Sequence, residues 1–433
     1  MDVPHEPADR DARVCLNFLR DLLAGYRPPE FRVRLWDGTT WQPDPAAPVR
    51  FTLRFEHPGA VRNVFARPSS LSIGEAFVRG EFDVEGDFEA ACALADYLFA
   101  LRPGLFGRLR YLLRVRTLPR GRADQAGAAH PGSRAAAGDR NRVRDAVNYH
   151  YELPPEFFAV WLDRQVVYSC AYFGSPDDAL DAAQERKLDY VCRKLDLRPG
   201  ERFFDLGCGW GALVVHAARH YGVEATGVTL SPKQAEVARQ RIAAAGVADR
   251  CRVEVLDYRD ADPRGGFDKM ASVGAIEHVP AGRLGEYFAA AWRLLRPGGR
   301  FLNHGITLRP TKNRPRQPSF FKAYVFPDGH LAPLSETLTA AESVGFEVRD
   351  VESLREHYAL TLRAWRRRLE DARGRIEAAW GEPVWRVFRL YLTAAAYDFA
   401  NGRNNLHQTL LVKPDGGRSG LPLTRARWYP SVD

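Results

Sequence analysis

Arg202-Phe203-Phe204-Asp205-Leu206-Gly207-Cys208-Gly209-Trp210-Gly211-Ala212-Leu213-Val214-Val215-His216-Ala217-Ala218 is the stretch on which the fold of this 433-residue chain turns. Its first five residues are an apolar run bounded upstream by Pro199-Gly200, the pattern of a short buried strand. Three glycines at alternate positions follow, and then an apolar helix begins. Strand, glycine turn and helix together open a nucleotide-binding doubly wound α/β domain, because glycine allows both the tight turn and close approach of a ligand to the backbone. The spacing is Gly-x-Gly-x-Gly, not the Gly-x-Gly-x-x-Gly of dinucleotide sites. Taken alone, the same residues would suit a plain strand-to-helix turn; the downstream pattern argues against that.

Downstream, Glu224–Leu230, Cys251–Leu256, Phe267–Val273 and Gly299–Ile306 read as further strands separated by helical segments, the βα alternation of a parallel sheet. Ser231-Pro232 starts one helix, with Ser231 as N-cap and proline at the first helical position. Residues 353–402 read as mostly helical, with Tyr358, Leu362, Trp365 and Leu369 on one face, and Asn405–Val412 returns as a late strand. Upstream lie the aromatic run Phe157–Leu162, the block Tyr168–Phe173 and a helix near Ala179–Leu195. Ligands of such sheets sit beyond the carboxyl ends of the strands. Here those ends are Gly207–Gly211, Thr229–Gln234, Asp257–Arg259, Gly274–His278 and His304–Ile306.

Residues 1–120 read as a small α+β domain, with strand signals at Phe31–Gly38 and Thr52–Phe55 and a Ser-x-x-Glu cap at Ser72. Residues 121–141, rich in Ala, Gly and Arg, read as a flexible basic linker. A catalytic domain over 142–415 and a tail over 416–433 complete the chain. Its net charge is +8, and between Arg102 and Arg144 eleven arginines face two aspartates. Such a patch suits phosphates of lipid head groups or of nucleic acid, and no nucleic-acid motif accompanies it, so lipid is the better match. The stretch Arg102–Arg120 has a basic amphipathic pattern that fits a packed interdomain helix or a helix lying on a membrane. Six scattered cysteines without a Cys-x-x-Cys pair argue against structural zinc and a disulfide framework. With no apolar run long enough to span a bilayer and no signal-peptide pattern at Met1–Glu6, the expected location is cytoplasmic.

Asp205–Gly211 resembles the first motif of class I S-adenosylmethionine-dependent methyltransferases. The resemblance implies a cofactor site formed by Tyr168, Ser169, Asp205, Gly207, Cys208, Gly209, Gly211, Thr229, Leu230, Ser231, Gln234, Asp257, Tyr258 and Arg259. One departure is visible: Thr229-Leu230-Ser231 stands where many such enzymes carry an acidic residue for the ribose. Six blocks, Tyr168–Phe173, Gly207–Gly211, Gly227–Ser231, Asp257–Asp260, Ser272–Val279 and His357–Leu362, together resemble cyclopropane-fatty-acyl-phospholipid synthases and the related mycolic acid cyclopropane synthases. The likeness covers about residues 142–412, and the segment Ser72–Glu81 resembles the smaller domain of the longer members. It implies methyl transfer to the cis double bond of a phospholipid acyl chain, then deprotonation and ring closure. It also implies catalytic roles for Cys170, Glu277, His304 and Tyr358. These four, with Val273 and Gly274, would hold bicarbonate as the base. Peripheral association with the membrane is a further implication, and a homodimer is compatible with it.

Each residue also has an ordinary reading. Cys170 suits a small buried hydrophobe, His304 a satisfied core histidine, Tyr358 helix packing, and Glu277-His278 a solvated helix start. Phe157, Phe158, Trp161, Tyr168 and Tyr172 suit either core or an acyl-chain lid. Three rival functions stay open on sequence alone. They are methylation ending in a methylene or methyl-branched chain, methylation of oxygen or nitrogen on a small metabolite, and a silent lipid-binding protein.

Overall fold

A computed structural model of the chain describes residues 9–66, 68–101, 105–120, 153–263, 265–310, 319–326 and 329–429. The linker expected over 121–141 and the ordered start expected over 142–152 lie outside the described residues. The chain gathers into two compact units.

The first unit opens with α1 (Arg10–Leu23), whose N-cap Asp9 accepts the Asp11 N–H at 3.0 Å. β1 (Phe31–Arg34), β2 (Thr40–Trp41), β3 (Phe51–Phe55), α2 (Ala60–Phe65), α3 (Ser70–Val78), β4 (Phe82–Gly86), α4 (Phe88–Ala100) and α5 (Leu105–Thr117) follow. The strands form one sheet in the order β2-β1-β3-β4, with β1 and β3 parallel. Period-two alternation turns Phe31, Val33, Phe51, Leu53 and Phe55 into the core. The cap of α3 differs from expectation. Its N-cap is Ser69, and Ser72 fills the position where glutamate is usual, each hydroxyl accepting the other residue's N–H at 3.1 and 2.9 Å. A Ser-x-x-Glu pattern therefore points three residues too late.

This unit also takes in Arg373–Tyr397, a stretch inside the 142–415 span read from sequence as catalytic. The helix Glu382–Ala400 supplies Arg386 and Arg389, which reach the buried Asp83 of β4 at 3.4 and 2.9 Å, and Tyr397 donates to Asp96 at 2.6 Å. A buried carboxylate needs cations, and sequence-distant arginines provide them.

The second unit carries α6 (Pro155–Trp161), α7 (Leu180–Leu195), β5 (Arg202–Leu206), α8 (Ala212–Tyr221), β6 (Glu224–Thr229), α9 (Pro232–Ala244), β7 (Cys251–Val255), β8 (Phe267–Val273), α10 (Leu284–Leu294), β9 (Leu295–Leu308), α11 (Leu334–Val344), β10 (Glu347–Ser353), α12 (Arg355–Asp371) and β11 (Asn404–Val412). The sheet runs β10-β11-β9-β8-β5-β6-β7, and β11 is antiparallel to both its neighbours. One core gathers side chains of α7, α8 and α9, another those of α10 and α11, so helices cover both faces. Two strands depart from the sequence reading. β9 is longer than 299–306, and β10 was not expected, because its Glu-Val-Arg-Asp-Val-Glu-Ser has the charged, half-exposed character of an edge strand. The tail is tied down: Trp428 is buried in the α7–α9 core, and Arg300 donates to Gly420 O at 2.7 Å.

Candidate active site

A cavity of about 180 Å³ opens at the carboxyl ends of the parallel strands. Tyr168 and Ser169 reach it from the segment before α7; Asp205, Gly207, Cys208 and Gly209 from β5 and its turn; Thr229, Leu230 and Gln234 from the second loop; Asp257, Tyr258 and Arg259 from the third. Val273 and Gly274 complete the expected residues on its wall. Gly211 and Ser231 do not line it. Gly211, at φ +84°, is the N-cap of α8, and a Cβ there would stand 2.8 Å from that of Ala238. Ser231 caps α9, accepting the Gln234 N–H at 3.3 Å. Both shape the loops from behind.

The second loop is closed on itself. Thr229 Oγ1 lies 2.7 Å from Gln234 Oε1 and accepts the Ser231 N–H at 3.2 Å, which explains how the loop keeps its form without an acidic residue. Asp257 accepts from the Arg259 backbone and from its Nε, both at 2.9 Å. At the first turn, Gly209 has φ +53° and no protein atom within 4 Å of where a Cβ would project, leaving the backbone open to a ligand. Burial pushes the Asp205 carboxyl up to about 7, partly offset by Lys187, and its Oδ1 is buried without a partner. Open backbone, buried polar atoms and apolar walls on one concave site suit a nucleoside-bearing cofactor.

Cys170, Glu277, His304 and Tyr358 are not on this wall; they hang on one hydrogen-bonded ladder behind it. Val273 pairs with His304, and the Gly274 N–H donates to His304 O at 2.9 Å. His304 lies opposite Gln408 of β11, whose Nε2 is 3.1 Å from His304 Nδ1. One rung on, Ile306 donates its N–H to Glu277 Oε1 at 2.7 Å and pairs with Leu406, whose carbonyl accepts the Leu354 N–H at 2.8 Å. The Leu354 carbonyl in turn accepts the Tyr358 N–H at 3.0 Å and lies 3.9 Å from Cys170 Sγ. All six residues expected around the base are thus joined through β8, β9, β11 and the start of α12.

Two atoms of this group are buried with no partner: Glu277 Oε2 and His304 Nε2. Burial pushes the Glu277 carboxyl up to about 7, and the Ile306 N–H partly offsets it. Burial holds His304 well below the usual imidazole range, so its ring is neutral. The Cys170 thiol, pushed up by burial, is a hydrogen-bond donor and not a thiolate. Aromatic rings bridge the two groups: Tyr168 on the cavity wall stands 5.3 Å from Trp365, which is 6.1 Å from Tyr358. Phe157, Phe158 and Trp161 are fully buried and serve as core. Gln408 and Lys187 escaped the sequence reading. Gln408 gave no signal inside an apolar strand, whereas Lys187 sits on the apolar stripe of α7 and stands out there.

Residues 139–409 match the family model described as mycolic acid cyclopropane synthetase, and residues 18–96 match one described as a domain of unknown function. A probable fatty acid methyltransferase of Pseudomonas putida is 39% identical over 402 residues, spanning 92% of this chain and 96% of that one. The cyclopropane-fatty-acyl-phospholipid synthase of Escherichia coli is 31% identical over 379 residues, covering 86% and 90%. Among solved structures, a mycolic acid cyclopropane synthase complexed with SAH and CTAB superposes with a TM-score of 0.59 at 34% identity, covering 62% of this chain and 97% of that one. The open glycine turn and its cavity lie where this fold holds its cofactor. The chain therefore belongs to the mycolic acid cyclopropane synthetase family, methyltransferases that use S-adenosylmethionine to modify lipid acyl chains.

Proposed function

We propose that this enzyme converts the cis double bond of an unsaturated phospholipid acyl chain into a cyclopropane ring. The observation that carries the reading is the pair of buried, unpartnered atoms, Glu277 Oε2 and His304 Nε2, near the cofactor cavity. An alkene is a weak nucleophile, and its methylation leaves a carbocation that must lose a proton to close the ring. S-adenosylmethionine supplies the electrophilic methyl group, and bicarbonate, if bound, supplies the base.

The residues present fit such an anion. His304 accepts from Gln408 at Nδ1, which leaves Nε2 as an N–H donor. Glu277, with its carboxyl near 7, is protonated in part at neutral pH and offers an O–H as a second donor. The Gly274 N–H is engaged by His304 O, so only its carbonyl and open Cα face remain for a ligand. Tyr168 and the buried Trp365 and Tyr358 form an aromatic chain there, and aromatic faces favour positive charge.

A second reading has an observation in its favour. A tuberculostearic acid methyltransferase of Mycobacterium tuberculosis is 33% identical over 427 residues, covering 95% of this chain and 94% of that one. The same first step, followed by a 1,2-hydride shift and loss of a proton from the new methyl group, would leave a methylene chain, which a separate hydride donor would have to reduce to give a methyl branch. Incubation with labelled S-adenosylmethionine and vesicles of unsaturated phospholipid, followed by mass spectrometry of the fatty acid esters, separates the outcomes. Gain of one CH2 with no double bond left is the expected result. A retained double bond establishes the methylene product, and absence of label in lipid refutes both readings.

We also assign the lipid-facing surface to α5. Tyr111, Val115 and Leu118 hold one side of this segment in the core of the first unit. Phe106, Leu109, Leu112 and Leu113 project outward at 91, 58, 53 and 53% exposure, beside the exposed Arg110 and Arg116. An exposed apolar strip with cations at its margin complements an anionic phospholipid surface.

A further inference from the structure

We propose that Lys187 is the receptor for the α-carboxylate of S-adenosylmethionine, acting together with Ser169. Among the described residues the second unit buries three lysines, and two of them have carboxylate partners. Lys194 lies 3.1 Å from Asp350 and 2.6 Å from Glu352, and Lys269 lies 3.0 Å from Glu201. Lys187 is 2% exposed, yet its hydrogen-bond partner is a neutral hydroxyl, Ser169 Oγ at 3.0 Å. Among the described residues no carboxylate forms an ion pair with it. It is also the one of the three that lines the cavity.

Asp163 and Asp205 act on Lys187 through space, but neither is within ion-pair distance. A buried ammonium without a direct ion pair is costly, and a fold retains one where an anion arrives to meet it. The cofactor carries a single anionic group, the carboxylate of its methionyl portion. Ser169 lines the same wall and accepts from Lys187, so its own proton is free to be donated to that carboxylate. Gln184, one turn back along α7, fixes the segment by donating to the Ser169 carbonyl at 2.8 Å and the Val167 carbonyl at 3.3 Å. Burial lowers Lys187 to about 8, which still leaves it mostly charged at neutral pH. A structural latch would account for the Ser169 contact, but not for an ammonium placed on the cavity wall with no carboxylate in direct contact.

The test is isothermal titration of the full chain with two ligands: S-adenosylhomocysteine, which has the carboxylate, and 5′-methylthioadenosine, which lacks it. Lys187→Met should weaken S-adenosylhomocysteine about 10- to 100-fold, the range of one charge-assisted hydrogen bond, and change methylthioadenosine less than about twofold. Equal weakening of both ligands, or an unchanged affinity for S-adenosylhomocysteine, overturns the proposal. Should the variant not fold, the wild-type enzyme answers by ¹³C-lysine NMR, since the chain has only seven lysines. The lysine titrating near 8 should move to higher pH with S-adenosylhomocysteine and stay put with methylthioadenosine. No movement with the former, or the same movement with both, refutes the assignment. Failure of the wild-type chain to bind S-adenosylhomocysteine at all would instead count against the cofactor.

Discussion

At the scale of single residues, the role proposed for Glu277 is testable through both turnover and stability. Although the residue as a whole is half-buried, its Oε2 is sealed from solvent, and its carboxyl rises from an ordinary 4.5 to about 7. A raised carboxyl value means that the folded state binds the proton more tightly than the unfolded one. Its contribution to stability is therefore fullest below about 4.5 and is lost as pH rises through about 7. Glu277→Gln removes that loss. The variant should be more stable than wild type at pH 8, by up to about 3 kcal/mol, with the gap closing toward pH 5. Paired thermal melts at the two pH values measure this, and Asp205, which shifts in the same window, cancels in the comparison. Turnover should fall by about 100-fold or more, while S-adenosylhomocysteine affinity stays within about twofold. Matching losses in turnover and cofactor binding would show that the residue is structural. The identity of Glu277 and His304 as candidates was legible through the motif around them. Their unpartnered atoms were not, because which atom is left over depends on Gln408 of β11 taking His304 Nδ1 and Ile306 of β9 taking Glu277 Oε1, across long sequence separations.

Among elements, the parallel strands were the most legible part, since β5 and β8 have the same limits in sequence and in structure. Apolar runs buried on both faces declare themselves without help from neighbours. β10 did not, being an edge strand whose pairing partner β11 comes more than fifty residues later. The assignment of Arg373–Tyr397 to the first unit was equally hidden, because it depends on Asp83 meeting Arg386 and Arg389. Replacing Asp83 by alanine leaves two mostly buried guanidinium groups without their shared anion, though Arg386 keeps Glu382 at 2.8 Å and Arg389 keeps the Val84 carbonyl at 3.0 Å. The expected cost is about 3 kcal/mol, felt in the first unit. Denaturant unfolding followed by hydrogen exchange should show β4 and the helix Glu382–Ala400 losing protection together, while β5 and β8 keep theirs. Unchanged protection in both elements would show that apolar packing alone holds the helix to this unit.

On the scale of the whole molecule, a charge of +8 and a lipid acyl chain as substrate pose one problem: how the protein meets its lipid. No helix among the described residues is long and apolar enough to cross a membrane. The sequence pattern of Arg102–Arg120 was compatible with either packing or membrane contact, because α5 does not have a single apolar face. It uses Tyr111 and Val115 inward, with Tyr111 Oη bonded to the Phe65 carbonyl, and leaves Phe106, Leu109, Leu112 and Leu113 outward. Helical periodicity alone cannot tell which of two apolar stripes meets the core. If the outer stripe docks on lipid, replacing Leu109 and Leu113 by glutamine should weaken binding to phosphatidylglycerol vesicles at least about tenfold, since each leucine gives up about 1.5 kcal/mol of burial. Replacing Arg110 and Arg116 by glutamine should instead remove the preference for anionic over zwitterionic vesicles, at about 1 kcal/mol per charge, and reduce the sensitivity of binding to salt. None of the four is among the residues that line the cofactor cavity, so S-adenosylhomocysteine affinity measured on the same samples should match wild type. Vesicle co-sedimentation at two salt concentrations reads both effects. Wild-type binding by the leucine variant would show that α5 is not the docking surface. Loss of cofactor affinity along with lipid binding would show that the substitutions had damaged the fold instead.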